Sequence, residues 1–205
     1  MKAKNLLAVC YLAALAFWLC HGAVGLVQAV RYGGQGLSYA GTQLSLSDLE
    51  LVGIRTWQDE TQPGAQLFVS TDNDPQMYWD GTVYLETLRL RMAQSKPAGA
   101  VALYYLRPGQ ADYSEKQKVY ATQTGPDTYE FQLGGVLCSG LRLDPDTVGG
   151  VYSRLDELTL NPPRPWYRRF LPTAGQGILL LALPLAAAAV LSEIFEWMGR
   201  GAKRA

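Results

Sequence analysis

The spacing of apolar residues divides the chain into three sections. From Leu6 to Val30 runs a stretch of 25 residues without a fixed charge, and from Leu171 to Ser192 a second one of 22. A helix over the first would be about 37 Å long, enough to cross a hydrocarbon layer of about 30 Å with tilt. Pro184 lies inside the second and should bend it modestly, which membrane helices tolerate. Both stretches are expected to be transmembrane helices, over residues 6–30 and 171–195. A cleaved signal peptide is the alternative for the first, because "HGAVG" offers small residues at Ala23 and Gly25. The length of the apolar run favours an uncleaved anchor.

Between these stretches the pattern changes to period two. In "TVYLETLRLRM" the apolar positions are Val83 and Leu85, then Leu88, Leu90 and Met92. The change of parity near Thr87 predicts a bulge. "AVALYYL" (Ala100 to Leu106) is apolar on both faces, as an internal strand would be. "LELVGIRTW", "AQLFVS", "TYEFQL", "GLRL" and "RLDELTL" supply further strands. Turn signals such as "QPG", "DNDP", "KPAG", "RPG" and "TGPD" separate them. Short strands at this spacing, with no helix-period run, predict a mainly β fold, an antiparallel sandwich over 44–160. The glycine-rich segment 31–43 is expected to be a flexible tether, and "NPPRP" begins a stiff juxtamembrane linker over 161–170.

Charge adds placement to this architecture. The net charge is zero, but Ala40 to Pro163 holds 9 basic and 16 acidic residues, and the flanks hold 9 basic and 2 acidic. An acidic body argues against nucleic acid, whose binding draws on phosphate neutralisation. The basic flanks suit anionic lipid headgroups. Lys2 and Lys4 precede the first apolar run, and Arg200, Lys203 and Arg204 follow the second. Two crossings of a plasma membrane, with residues 1–5 and 196–205 cytoplasmic, satisfy the positive-inside rule at both ends. The sandwich is then extracytoplasmic. Arg164, Arg168 and Arg169 also fall outside, where long translocated sections escape the rule. With Trp166 and Tyr167 they form an expected membrane-interface belt, the arginines reaching lipid phosphates. Gly25 with Ala29, and Ala182 with Ala186, have the small-residue spacing that lets helices approach.

Three segments carry a resemblance. "STDNDPQMYW", "LYYLRPGQADYSE" and "LRLDPDTVGGVYSRLDELTL" occur in this order. They resemble the galactose-binding-like jelly-roll modules, of carbohydrate-binding-module type, attached to bacterial envelope glycosyltransferases and related membrane proteins. The matching positions are Asp74-Pro75-Gln76, Tyr104-Tyr105, Tyr113-Ser114-Glu115 and Leu141 to Pro145. The resemblance spans roughly Leu51 to Leu160. It implies a jelly-roll-like sandwich, usually non-catalytic, that contacts sugar or docks protein. In this chain the module stands between two single spans and not beside a polytopic enzyme.

The chemistry points the same way. The one histidine is His21, inside the first apolar run, so no Ser-His-Asp or Cys-His arrangement can form in the body. No phosphate-binding glycine loop and no zinc spacing is present. The three cysteines, Cys10, Cys20 and Cys138, leave the body without an internal disulfide. Asp72, Asp74 and Asp80 invite a calcium hypothesis, but Asp and Asn around proline are ordinary turn formers. The expectation is therefore no enzyme activity, no cofactor and no metal. Trp57, Trp79, Tyr105, Tyr113 and Tyr120 are the material of a sugar platform, since sugar faces stack on aromatic rings. Asp74, Gln76, Trp79, Tyr105 and Tyr113 form the expected ligand site. The expected partners are the bilayer and an envelope glycan or lipid-linked sugar. The alternative role is a docking subunit of a complex for cell-envelope polysaccharide assembly, beside a polytopic glycosyltransferase.

Overall fold

The computed structural model describes residues 3–33, 41–163 and 165–202. It divides into two compact units, one of Met1–Gln28 with Arg164–Ala205, the other of Ala29–Pro163.

The first unit is a pair of helices, α1 (Ala3–Gly33) and α2 (Ala174–Ala202). Both are long and apolar enough to cross a membrane. Helical spacing gathers their less exposed positions into one stripe each. On α1 these include Tyr11, Ala14, Trp18 and Gly22; on α2 they include Gly177, Leu180, Pro184, Ala188 and Ser192. The Tyr11 hydroxyl donates to the Leu181 carbonyl of α2 at 2.9 Å, and the Trp18 indole to the Phe170 carbonyl, in the short turn before α2, at 3.1 Å. Pro184, lacking an N–H, leaves the Leu180 carbonyl, next to Leu181, without its helix donor. The small-residue expectation shifts position. A Cβ on Gly25 would meet nothing, but one on Gly22 would come within 2.6 Å of the Phe170 ring. On α2 the buried small positions are Pro184 and Ala188, whereas Ala182 and Ala186 are exposed.

The second unit holds twelve strands among its described residues. They are β1 (Thr42–Gln43), β2 (Glu50–Val52), β3 (Ile54–Trp57), β4 (Gln66–Ser70), β5 (Gln76–Trp79) and β6 (Val83–Gln94). Then come β7 (Ala102–Leu106), β8 (Lys118–Tyr120), β9 (Thr122–Gly125), β10 (Thr128–Cys138), β11 (Gly140–Asp144) and β12 (Tyr152–Leu160). A seven-stranded sheet has the order β3-β4-β12-β6-β10-β9, with β1 also on β12. A five-stranded sheet has the order β2-β5-β11-β7-β8. Every pairing is antiparallel. Alternation aims one face of each sheet inward. Phe68, Leu85, Leu88, Leu90, Met92 and Phe131 from the larger sheet meet Met77, Leu103, Leu141 and Leu143 from the smaller.

Three local devices differ from the sequence expectation. "LELVGIRTW" is two strands in different sheets, and the chain changes sheet at Gly53, where φ is +64°. A side chain there would also strike the Asp72 carboxylate. The irregularity near Thr87 is met from the partner side. β10 shifts register between Gln132 and Val136, and the Asn161 side chain accepts from Glu86 N and Thr87 N and donates to Tyr84 O. Finally, β1 falls inside the expected tether: Thr42 and Gln43 pair with Leu160 and Thr159, because backbone groups beside a strand edge gain partners there. At its other end residues 31–33 of the expected tether continue α1, and 34–40 lie outside the described residues.

Candidate functional site

The outer face of the five-stranded sheet is built by register. Glu50 pairs with Tyr78, Tyr78 with Arg142, Arg142 with Tyr104, and Tyr104 with Lys118. Paired residues point to the same face, so these five form one row across all five strands. Their neighbours one step along each strand point inward: Leu51, Met77, Trp79, Leu141, Leu143, Leu103, Tyr105 and Val119 belong to or pack on the core.

Arg142 is the hub of the row. Its Nε and NH2 donate to the two Asp144 oxygens at 2.8 and 2.9 Å, and NH2 also reaches Asp74 Oδ1 at 3.1 Å. The guanidinium lies 4.8 Å from the Tyr104 ring centroid. This two-pronged geometry holds the arginine plane fixed. Lys118 Nζ stands 5.0 Å from the Tyr104 ring and 5.1 Å from that of Tyr120, which is exposed. The Tyr104 hydroxyl donates to Glu115 Oε1 at 2.8 Å. That bond, with Lys118 and Arg142 nearby, holds the Glu115 carboxyl below the usual carboxylate range. Burial pushes the Asp144 carboxyl up, against the pull of Arg142.

The second wall is aromatic. Tyr113, carried by the loop after β7, tilts against Tyr78 with ring centroids 5.6 Å apart. It lies over Gly140, where an added Cβ would come within 3.1 Å of its hydroxyl. Burial, then the Asp80 carboxylate, pushes the Tyr113 phenol up to about 12, so it stays a neutral donor and acceptor. The Tyr78 hydroxyl bonds Gln76 Oε1, and Gln76 Nε2 donates to Asp74 Oδ2 at 2.5 Å.

Of the residues expected to bind ligand, Asp74, Gln76 and Tyr113 come together here. Trp79 and Tyr105 do not: they pack against the core on the inner side. Tyr78, Tyr104, Arg142, Asp144, Glu115 and Lys118 complete the face; none was among the expected ligand residues, although Tyr104, Glu115, Arg142 and Asp144 stand at positions that carry the resemblance. The neighbouring positions Asp72 and Asp74 form a turn, with Asp74 N donating to Asp72 Oδ1 at 3.0 Å. Among the expected interface residues, Tyr167 and Arg168 are exposed in a single helical turn (Trp166–Phe170). Arg164 lies outside the described residues.

No family model matches the chain, and no curated protein matches it. Among solved structures the chain is similar to a family 6 carbohydrate-binding module from Clostridium cellulolyticum, in complex with xylose. That match has 12% identity, covers 58% of this chain and 95% of the other, and has a TM-score of 0.43. A family 29 carbohydrate-binding module gives 13% identity, 55% and 76% coverage and a TM-score of 0.40. A xylan-binding module of family 86 from Roseburia intestinalis gives 12% identity, 58% and 93% coverage and a TM-score of 0.38.

Proposed function

We propose that this chain is a non-catalytic, membrane-anchored carbohydrate-binding protein. The outer face of the five-stranded sheet takes an envelope glycan or the sugar of a lipid-linked precursor. The observation that carries this reading is the row from Glu50 to Lys118, in which tyrosines alternate with charged groups, two of which, Arg142 and Lys118, are held by hydrogen bonds. Sugars need that pairing: apolar ring faces to stack on, and oriented donors and acceptors for hydroxyls whose water is stripped on binding. Alpha helices α1 and α2 cross the plasma membrane in this reading, with 1–5 and 196–205 cytoplasmic and the jelly-roll-like sandwich outside. Exposed apolar side chains along both helices support it; Phe17 is 71% and Leu181 67% exposed.

The test uses the full chain in nanodiscs on an array of envelope polysaccharides and oligosaccharides. Binding that falls at least tenfold in Arg142→Ala, with the melting temperature preserved, is the expected result. Uniform absence of binding overturns the reading.

A second reading, a docking subunit of a polysaccharide-assembly complex beside a polytopic glycosyltransferase, has its own observation. On the larger sheet Trp57 and Tyr152 are both exposed and meet edge to face, centroids 6.3 Å apart. Large exposed rings of this kind anchor protein contacts. Co-purification of a stoichiometric partner from gentle detergent, lost in Trp57→Ala, would favour it over glycan binding.

A further inference from the structure

The charges of the outer face are layered, and the layering bears on which glycan fits. The side chains of the two cations of the row are recessed: Arg142 is 18% and Lys118 20% exposed. Their partners Asp74 and Glu115 are 71% and 77% exposed. Each of those carboxylates spends one bond per oxygen inside the protein. Asp74 Oδ1 takes Arg142 and Oδ2 takes Gln76; Glu115 Oε1 takes Tyr104 and Oε2 takes Lys118. A carboxylate has about four lone-pair sites, so each keeps acceptor capacity that faces solvent. Glu50 and Asp80 are exposed as well; Lys116 beside Glu115 and Arg107 just after β7 are exposed cations. A ligand descending on the face meets acceptors and negative charge before it meets Arg142.

Resting on the glycan-binding reading above, we infer that the face is selective for saccharides bearing free, protonated amino groups. An ammonium group can donate to Asp74 or Glu115 while its ring stacks on Tyr78, Tyr113 or Tyr120. An N-acetylated sugar of the same ring offers one neutral donor in its place. A uronate or sulfated sugar brings like charge against the outer carboxylates, which costs affinity. Asp74 and Glu115 are thus the specificity-determining residues, and Arg142 orients hydroxyls beneath them.

The experiment compares three oligosaccharides of equal length on the full chain in nanodiscs of uncharged lipid: glucosamine, N-acetylglucosamine and galacturonate oligomers. At pH 6 and low salt the carboxylates are ionised and the amines protonated. Two partly exposed ion pairs predict a preference of about fivefold for the amine over the acetylated form. That ratio should shrink towards one in half-molar salt, by screening. It should also shrink in Asp74→Asn combined with Glu115→Gln, whereas Asp59→Asn, in the turn after β3, leaves it in place. Equal affinities for amine and acetylated forms, or a ratio indifferent to the double variant, overturn the selectivity and leave glycan binding standing. A preference for the uronate overturns the selectivity as well. Failure of all three oligomers and of the wider polysaccharide array removes both readings.

Discussion

The two units of this chain hide their apolar residues in opposite places. In the sandwich the large apolar side chains turn inward, and Phe68, Phe131, Leu85 and Leu103 are 0% exposed. In the helix pair Leu12, Phe17, Ile178 and Leu183 turn outward, each more than 60% exposed. The sandwich satisfies its backbone between strands and uses water as its surroundings. The helices satisfy theirs internally, so what surrounds them has no need to donate or accept. One chain therefore carries two kinds of surface, and the same substitution should act differently in each.

The largest contrast is a phenylalanine truncated in each unit. Phe131→Ala empties a core position between the sheets and should lower sandwich stability by about 3–5 kcal/mol. Phe17→Ala should change it by less than about 0.5 kcal/mol. Thermal melts of the full chain in detergent, followed by near-ultraviolet circular dichroism, separate the two. Equal effects would mean that the helix pair is packed like a soluble core.

Asn161 tests how far the sandwich depends on one polar side chain. It is buried, has a φ of +48°, and bridges Tyr84, Glu86 and Thr87 where the register slips. Asn161→Ala strands those backbone groups and should cost about 2–3 kcal/mol. Asn161→Asp, which keeps the acceptor and loses the donor, should cost less if the two amide groups dominate. Chemical denaturation midpoints would rank the three proteins.

A third test uses alkali. Cys138 is fully buried on β10, and burial pushes its thiol up to about 12, against a smaller downward pull from Arg107. In the unfolded chain the same thiol ionises near 8.5. Between those values the unfolded state binds fewer protons than the folded one. Stability is therefore full below about pH 8.5 and falls as pH rises, by up to about 1.4 kcal/mol per unit from this group. Tyr113 adds to the slope above pH 10 by the same logic. Melting temperatures from pH 8 to 11 should decline in the parent and decline less steeply in Cys138→Ala. Identical slopes would show that the thiol is hydrated.

What the sequence disclosed follows the same division. Both helices are visible as uncharged runs because each is apolar on nearly every face over more than twenty residues. Strands β6 and β10 are visible because one face is apolar and the other is not. β5 is hidden: "QMYW" follows "DNDP" and carries Gln76 and Tyr78 outward, so its alternation looks like more of a turn. β8 and β9 are short, partly polar strands at sheet edges and give no clear period. The site depends on parity that composition cannot supply. In "YW" and "YY" both residues are aromatic, and only the register puts Tyr78 and Tyr104 outside and Trp79 and Tyr105 inside. Arg142 stood within a quoted motif, yet its pairing with Asp74 joins residues 68 positions apart, and no local pattern records that.

The smallest expected effect belongs to the helix pair. Tyr11 donates to the Leu181 carbonyl, so a side chain on one helix bonds the backbone of the other. Hydrogen bonds between membrane helices average about 0.6 kcal/mol, because the separated helices find other partners. Tyr11→Phe keeps the ring and removes the donor, so it should weaken the pair by about that amount and leave the sandwich melt unmoved. Energy transfer between labels near the two helix ends, followed through a detergent titration, reads the association directly. Pro184→Ala sharpens the result: the N–H it restores bonds the Leu180 carbonyl and not that of Leu181, so Tyr11→Phe should cost the same in that background. A smaller cost there would mean that the bend at the proline, and not its missing donor, sets the Tyr11 contact.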